Sequence, residues 1–159
     1  MISFPPEWSE CIALLCTHRV RFLVVGAHAL AASGRPRATQ DIDLWVERSE
    51  ENARRLSAAL AEFGYRALAR QWRRFTEPDR MATLGRPPLQ IDIMTSISGV
   101  TFTEGWKGRR RLRHGTHWVG FLGERELIRN KRAAGRPKDL LDIELLKESR
   151  PRPRRRGPK

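Results

Sequence analysis

The sequence predicts an α/β (α+β) domain in which short strands and helices alternate and two further helices close the chain. Three observations carry this reading. Residues 21–25 form a short apolar run, rich in β-branched side chains, that stops at Gly26. Residues 42–46 resume an alternating, strand-like pattern after a break at Gly34, Arg35 and Pro36. Residues 124–134 and 137–147 read as two helices parted by Gly135, with Pro137 suited to a first helical turn.

Taken in order, residues 11–15 lie in an apolar helical stretch, and the strand ending at Val25 passes at Gly26 into a short helix over residues 27–33. After the 42–46 strand, Ser49 is an N-cap: Glu50, Glu51 and Asn52 follow in the first turn. Leu56, Leu60 and Phe63 then recur at helical spacing, so 49–63 is a capped amphipathic helix ended by Gly64. Strands are expected around 66–69, 81–84, 89–94 and 117–121. There is no internal repeat.

Length and charge bound what such a domain can do. The 159 residues carry a formal charge of +13 and 40% counted apolar residues, enough for a packed core. No stretch approaches the roughly 18 consecutive apolar residues of a membrane span, and the start of the chain lacks a basic segment followed by a long apolar run. Cys11 and Cys16 are too few for a disulfide scaffold, so the expected setting is a reducing cytoplasm. The expected organisation is one domain over 1–148 and a disordered basic tail over 149–159. Residues 150–159 hold six cations and three prolines with no acid or large apolar side chain. Without those six cations the formal charge falls from +13 to +7, so nearly half the excess is peripheral.

The chemistry lies in acids. Asp41 and Asp43 sit at i and i+2 of a strand, hence on one face, with Ile42 and Leu44 pointing into the core. Like charges so placed repel, and a cation between them removes the repulsion; hard carboxylate oxygens suit Mg²⁺ or Mn²⁺. Asp92, between Ile91 and Ile93, offers a third carboxylate in the same local pattern. A single acid of this kind is ordinarily a solvated residue on an exposed strand face. Three together could hold two metals at the roughly 3.5–4 Å separation of two-metal phosphoryl-transfer sites. The strand ending at Gly26 and opening a helix adds free backbone N–H groups able to hold phosphate oxygens beside them.

Val25, Gly26 and Ala27, then Asp41, Ile42, Asp43 and Leu44, with Asp92 further on, resemble the signature of the nucleotidyltransferase superfamily with the DNA polymerase beta-like fold. Residues 22–46, with Arg37 and Thr39 just ahead of the acids, are especially similar to minimal bacterial nucleotidyltransferases. These include the AbiEii-type toxin and antitoxin enzymes of abortive-infection systems. Residues 130–142 resemble the family's C-terminal helical segment, and the likeness covers roughly 20–146. It implies a mixed β-sheet flanked by helices with two C-terminal helices. It also implies Mg²⁺-dependent (or Mn²⁺-dependent) transfer of a nucleoside monophosphate from a nucleoside triphosphate such as ATP to a protein or RNA acceptor. Asp41, Asp43 and Asp92 would be the catalytic and metal-binding residues, and Gly26, Ala27, Arg37, Thr39, Lys131 and Arg136 would contact nucleotide. For Lys131 and Arg136, pairing with Asp139 and Asp142 is the structural alternative. One departure stands out: the family turn has Ser or Gly where this chain has Ala27, which offers only a backbone N–H. A catalytically degenerate module of the same fold, binding nucleic acid or a protein partner, is therefore the second reading, and a toxin or antitoxin partner is a third.

Residues 106–114 form a basic run around one tryptophan. Arg109, Arg110 and Arg111, with the 150–159 tail, are its candidate nucleic-acid contacts, against the alternative of a solvated loop. Trp72, among Arg70, Arg73 and Arg74, reads as packing. Cys11, Cys16 and His18 lack zinc spacing and read as core. His114 and His117 flank a strand. His28, beside the phosphate turn, is placed either against nucleotide or on the outer face of its short helix.

Overall fold

The computed structural model describes residues 2–34 and 39–148; Arg37 and the 149–159 tail lie outside that range. The chain runs α1 (Pro6–Thr17), β1 (Phe22–Val25), α2 (Gly26–Ala32), β2 (Asp41–Val46), α3 (Glu50–Glu62) and α4 (Arg66–Arg70). After a 3₁₀ turn at Trp72–Thr76 come β3 (Met81–Leu84), β4 (Gln90–Met94), α5 (Phe102–Lys107), β5 (Arg110–His114), β6 (His117–Phe121), α6 (Glu124–Ala134) and α7 (Pro137–Glu148). The result is a six-stranded sheet in the order β3-β4-β2-β1-β6-β5. It is mixed: β2 runs parallel to β4 and β1 parallel to β6, while β1–β2, β3–β4 and β5–β6 are antiparallel. No described helix is long and apolar enough to cross a membrane.

Strand alternation sorts the core into two layers. Phe22, Val24, Ile42, Leu44, Ile91 and Ile93 face α1 and α3. Leu23, Val25 and Trp45 face α2, α6 and α7 on the other side. Asp41, Asp43 and Asp92 alternate with the first set and so project on the second side, where the C-terminal helices stand.

The capped helix forms as its sequence requires. Ser49 Oγ accepts from Asn52 N at 3.1 Å, and Glu50–Arg54 and Glu51–Arg55 pair at i,i+4 along its exposed side. Asn52 is 2% exposed and ties this helix to the sheet: it accepts from Arg21 N at 2.7 Å and donates to Arg21 O and Glu47 O. The ends of β1 and β2 farthest from the acids are thereby clamped to α3.

The segment expected as a strand over 66–69 is instead the short helix α4. Local alternation is a weak signal over so few residues, and packing on α3 decides it, with Ser57 Oγ donating to Ala69 O at 2.7 Å. Part of the basic run, for which a solvated loop was the alternative to a nucleic-acid contact, is strand β5, an edge strand whose only apolar anchor is Leu112, paired with Val119 of β6. Cys11 is buried in the core, and burial pushes its thiol up to about 12. Cys16, half-buried, is pushed up to about 11 by the same cause. Neither is a thiolate at neutral pH.

Candidate metal and nucleotide site

β2 lies between β1 and β4, and its register decides the site. Asp43 is the direct partner of Asp92 across the parallel β2–β4 pair and of Val25 across the antiparallel β1–β2 pair. Asp41, two residues earlier on the same face, completes the group. One ligand oxygen from each of Asp41, Asp43 and Asp92 lies within 4.8 Å of the others, so the three could hold a metal ion.

Each carboxylate is held differently. Asp41 accepts from Thr39 Oγ1 at 2.9 Å. Asp92, 7% exposed, accepts from Thr83 Oγ1 at 2.7 Å and from Gln90 Nε2 at 3.1 Å. Asp43 accepts no hydrogen bond among the described residues. Burial, reinforced by the charges of Asp41 and Asp92, pushes its carboxyl up to about 6, against the opposing pull of Lys138 and Arg136. Three acids with too little compensating charge are costly unless a cation joins them.

Gly26 closes the other side. It has φ +67°, a left-handed conformation, and a Cβ added there would lie 2.3 Å from Asp43 Oδ2. The turn between β1 and α2 thus needs glycine for backbone shape and for close approach to the carboxylate. A cavity of about 310 Å³ opens here, lined by Gly26, Ala27, Thr39, Asp41, Asp43 and the α6–α7 residues Lys131, Arg136 and Lys138.

The α6–α7 side is the reverse of the acid cluster in its charge balance. Lys131, 6% exposed, lies 2.9 Å from Asp142 and 3.7 Å from Asp139. Arg136 donates twice to Asp139, through Nε at 2.6 Å and Nη2 at 3.2 Å. Burial would raise the Asp139 carboxyl, but the Arg136 bonds and the Lys131 charge outweigh it and hold the group below its ordinary range. Lys131 and Arg136 therefore line the cavity and also pair with the two acids named as their structural alternative. Lys138 is exposed, with no carboxylate within 4 Å among the described residues. Sequence reasoning passed over it, although it follows Arg136 and Pro137 at the start of a helix already expected. Thr83 and Gln90 were also missed. Gln90 shares the alternation of Asp92, but Thr83 is brought in only by strand pairing.

His28 occupies neither expected place. It packs edge-on between Phe4 and Trp8, at ring separations of 5.8 and 5.1 Å, and bonds to the Asp41 backbone. Burial lowers its pKa, so it is a neutral buttress behind the turn. Arg110 also departs from expectation. It points away from Arg109 and Arg111 and donates to Ala32 O at the end of α2.

Comparison with known proteins fits this layout. A Thermotoga maritima protein whose crystal structure is described as that of a "putative nucleotidyltransferase" superposes with a TM-score of 0.54, over 92% of this chain and 94% of its own, at 16% identity. At that identity the likeness is one of fold, and the fold is nucleotidyltransferase-like. No family model and no curated protein matches the chain.

Proposed function

We propose that the chain is a divalent-metal-dependent nucleotidyltransferase moving a nucleoside monophosphate from a nucleoside triphosphate to a protein or RNA acceptor. The observation that supports this most is the convergence of Asp41, Asp43 and Asp92, of which Asp43 is under-compensated and pressed against Gly26. The donor set is all hard oxygen, which fits Mg²⁺ or Mn²⁺. A cation held by these residues supplies charge neutralisation at the phosphate oxygens and at the departing pyrophosphate.

The chain's own residues do the rest. The Gly26–Ala27 backbone lets phosphate oxygens approach the Asp43 side of the cavity without a side chain intervening, and Ala27 adds only its N–H. Lys138, free of an acidic partner among the described residues, faces the same cavity and is placed to meet the triphosphate. Asp92, its carboxylate oriented by Thr83 and Gln90, takes the proton of the acceptor hydroxyl as that oxygen bonds to the α-phosphorus and the bond to pyrophosphate breaks. Lys131 and Arg136 act chiefly by fixing α7 against α6, which sets where Lys138 stands.

The test is incubation with Mg²⁺, labelled nucleoside triphosphates and mixed protein and RNA acceptors, comparing the parent with Asp43→Ala. Since even groups that only orient a metal ligand are worth about 10–100-fold, transfer should fall by at least about 100-fold. Transfer unchanged in Asp43→Ala would overturn the assignment.

A further inference from the structure

A dense basic surface outside the carboxylate site is on the β5–β6 hairpin. Alternation splits β5 cleanly. Leu112 and His114 turn toward α1, where Leu112 packs on the core and His114 bonds to Ser9 and Ile2, while Arg110, on the same side of the strand, reaches Ala32 O at the end of α2. Arg111 and Arg113 turn to the opposite face, that of the three carboxylates, and are exposed. There they flank Trp118, with guanidinium carbons 5.4 and 5.9 Å from its ring centre. Trp118 is 54% exposed, so its indole is open to a ligand.

Beside it the sheet is parted. β1 and β6 pair only at Val24 and Phe121, and at the other end of these strands a cleft of about 360 Å³ opens between them. Phe22, Trp106, Arg109, Arg111 and Trp118 are among the residues that line it. Arg109 lies across Gly120, where a Cβ would meet its Cδ at 3.1 Å, and stacks on Trp106 at 4.0 Å. Arg21, over the same Trp106 ring at 4.6 Å, is answered by Glu47. Arg109, Arg111 and Arg113 have no carboxylate within 4 Å among the described residues. Burial and the neighbouring charges of Arg111 and Arg21 push the Arg109 guanidinium below its ordinary pKa, the mark of cations crowded without counter-charge.

We propose that this face binds single-stranded nucleic acid, a base stacking on Trp118 at the cleft mouth and phosphates meeting Arg109, Arg111 and Arg113. The pairing of an exposed indole with guanidinium groups beside a cleft favours a strand with separate bases and phosphates. An acidic peptide would use the cations and leave the indole idle, and duplex would hide the bases that stack.

Labelled U15 RNA provides the probe, with anisotropy read over a salt series on the full chain, so that the basic 150–159 segment contributes equally throughout. Trp118→Ala should weaken binding by about five-fold or more, as expected for the loss of one base–aromatic stack. The double variant Arg111→Ala/Arg113→Ala should weaken it further and make the slope of log affinity against log salt shallower by about 1.4, at about 0.7 per phosphate contact. All three side chains are exposed, and thermal unfolding of the variants should match the parent. Asp43→Ala should bind RNA unchanged, so this face stands or falls separately from the transfer reaction. Unchanged RNA affinity in both hairpin variants would overturn the proposal. So would a poly-glutamate peptide binding as tightly as U15 and just as indifferent to Trp118.

Discussion

Two groups of charged side chains share one cavity and are built on opposite terms. In the α6–α7 knot, Lys131 and Arg136 meet Asp139 and Asp142, so every buried charge has an opposite within bonding or near-bonding distance. Across the cavity, which Asp41 and Asp43 line, these two converge with Asp92, with only hydroxyl and amide donors on Asp41 and Asp92 and none on Asp43 among the described residues. The first arrangement is complete without a ligand and stabilises the fold. The second carries charge that its own hydrogen bonds leave uncompensated, which a bound cation would neutralise.

The difference can be broken by removing one charge from each group, and the two removals should have opposite signs. Lys131→Met takes the ammonium away from buried Asp139 and Asp142, leaving Asp139 to Arg136 alone, and should cost about 3–5 kcal/mol in denaturant unfolding. Asp43→Asn removes repulsion and should stabilise the metal-free protein by about 1–3 kcal/mol at pH 8. The sign follows from the raised carboxyl. Because the folded protein holds that proton up to about pH 6 while the unfolded chain loses it near 3.8, the metal-free parent loses stability as pH rises through that window. The advantage of Asp43→Asn should therefore vanish near pH 4 and be complete above about pH 7. If both variants destabilise equally at pH 8, the acid cluster is as compensated as the knot and the comparison fails.

A smaller effect calibrates the other two. Ser49→Ala removes the α3 cap far from both groups and should cost about 1 kcal/mol, with no dependence on divalent cation and no change in the pH profile. A cation-dependent Ser49→Ala effect would mean that the stability readout does not isolate the site.

Much of this contrast is legible in the residues themselves. The period-2 placement of Asp41 and Asp43, the glycine ending an apolar run, and the Ser49 cap are local signals, and local signals survive folding. The mixed sheet was expected only through resemblance; Asp92 was singled out by its own local pattern as a third carboxylate, but no spacing rule brings it beside Asp43, because parallel pairing of β2 with β4 does that. α4 was expected as a strand and β5 was not foreseen, for a related reason. Residues 66–70 are too few for a helical period to show, and β5 has one apolar residue to betray it, so tertiary partners decide both. α5 had a usable signal: Thr101 and Glu104 form a reciprocal capping box, the Thr-x-x-Glu pattern that marks a helix start. Which cations are tied to acids and which remain available is not a property of the sequence, so Lys138 emerges only when the knot beside it is seen to be closed.

The central claim is that Asp41, Asp43 and Asp92 form a cation site, and Mn²⁺ alone tests it most directly. Titrated into the parent and into Asp43→Asn at pH 7.5, with free Mn²⁺ followed by its electron spin resonance, it should bind the parent saturably. It should also raise the parent's unfolding midpoint and leave Asp43→Asn unmoved on both counts. Equal Mn²⁺ binding by the two proteins, or none by the parent, would contradict the account.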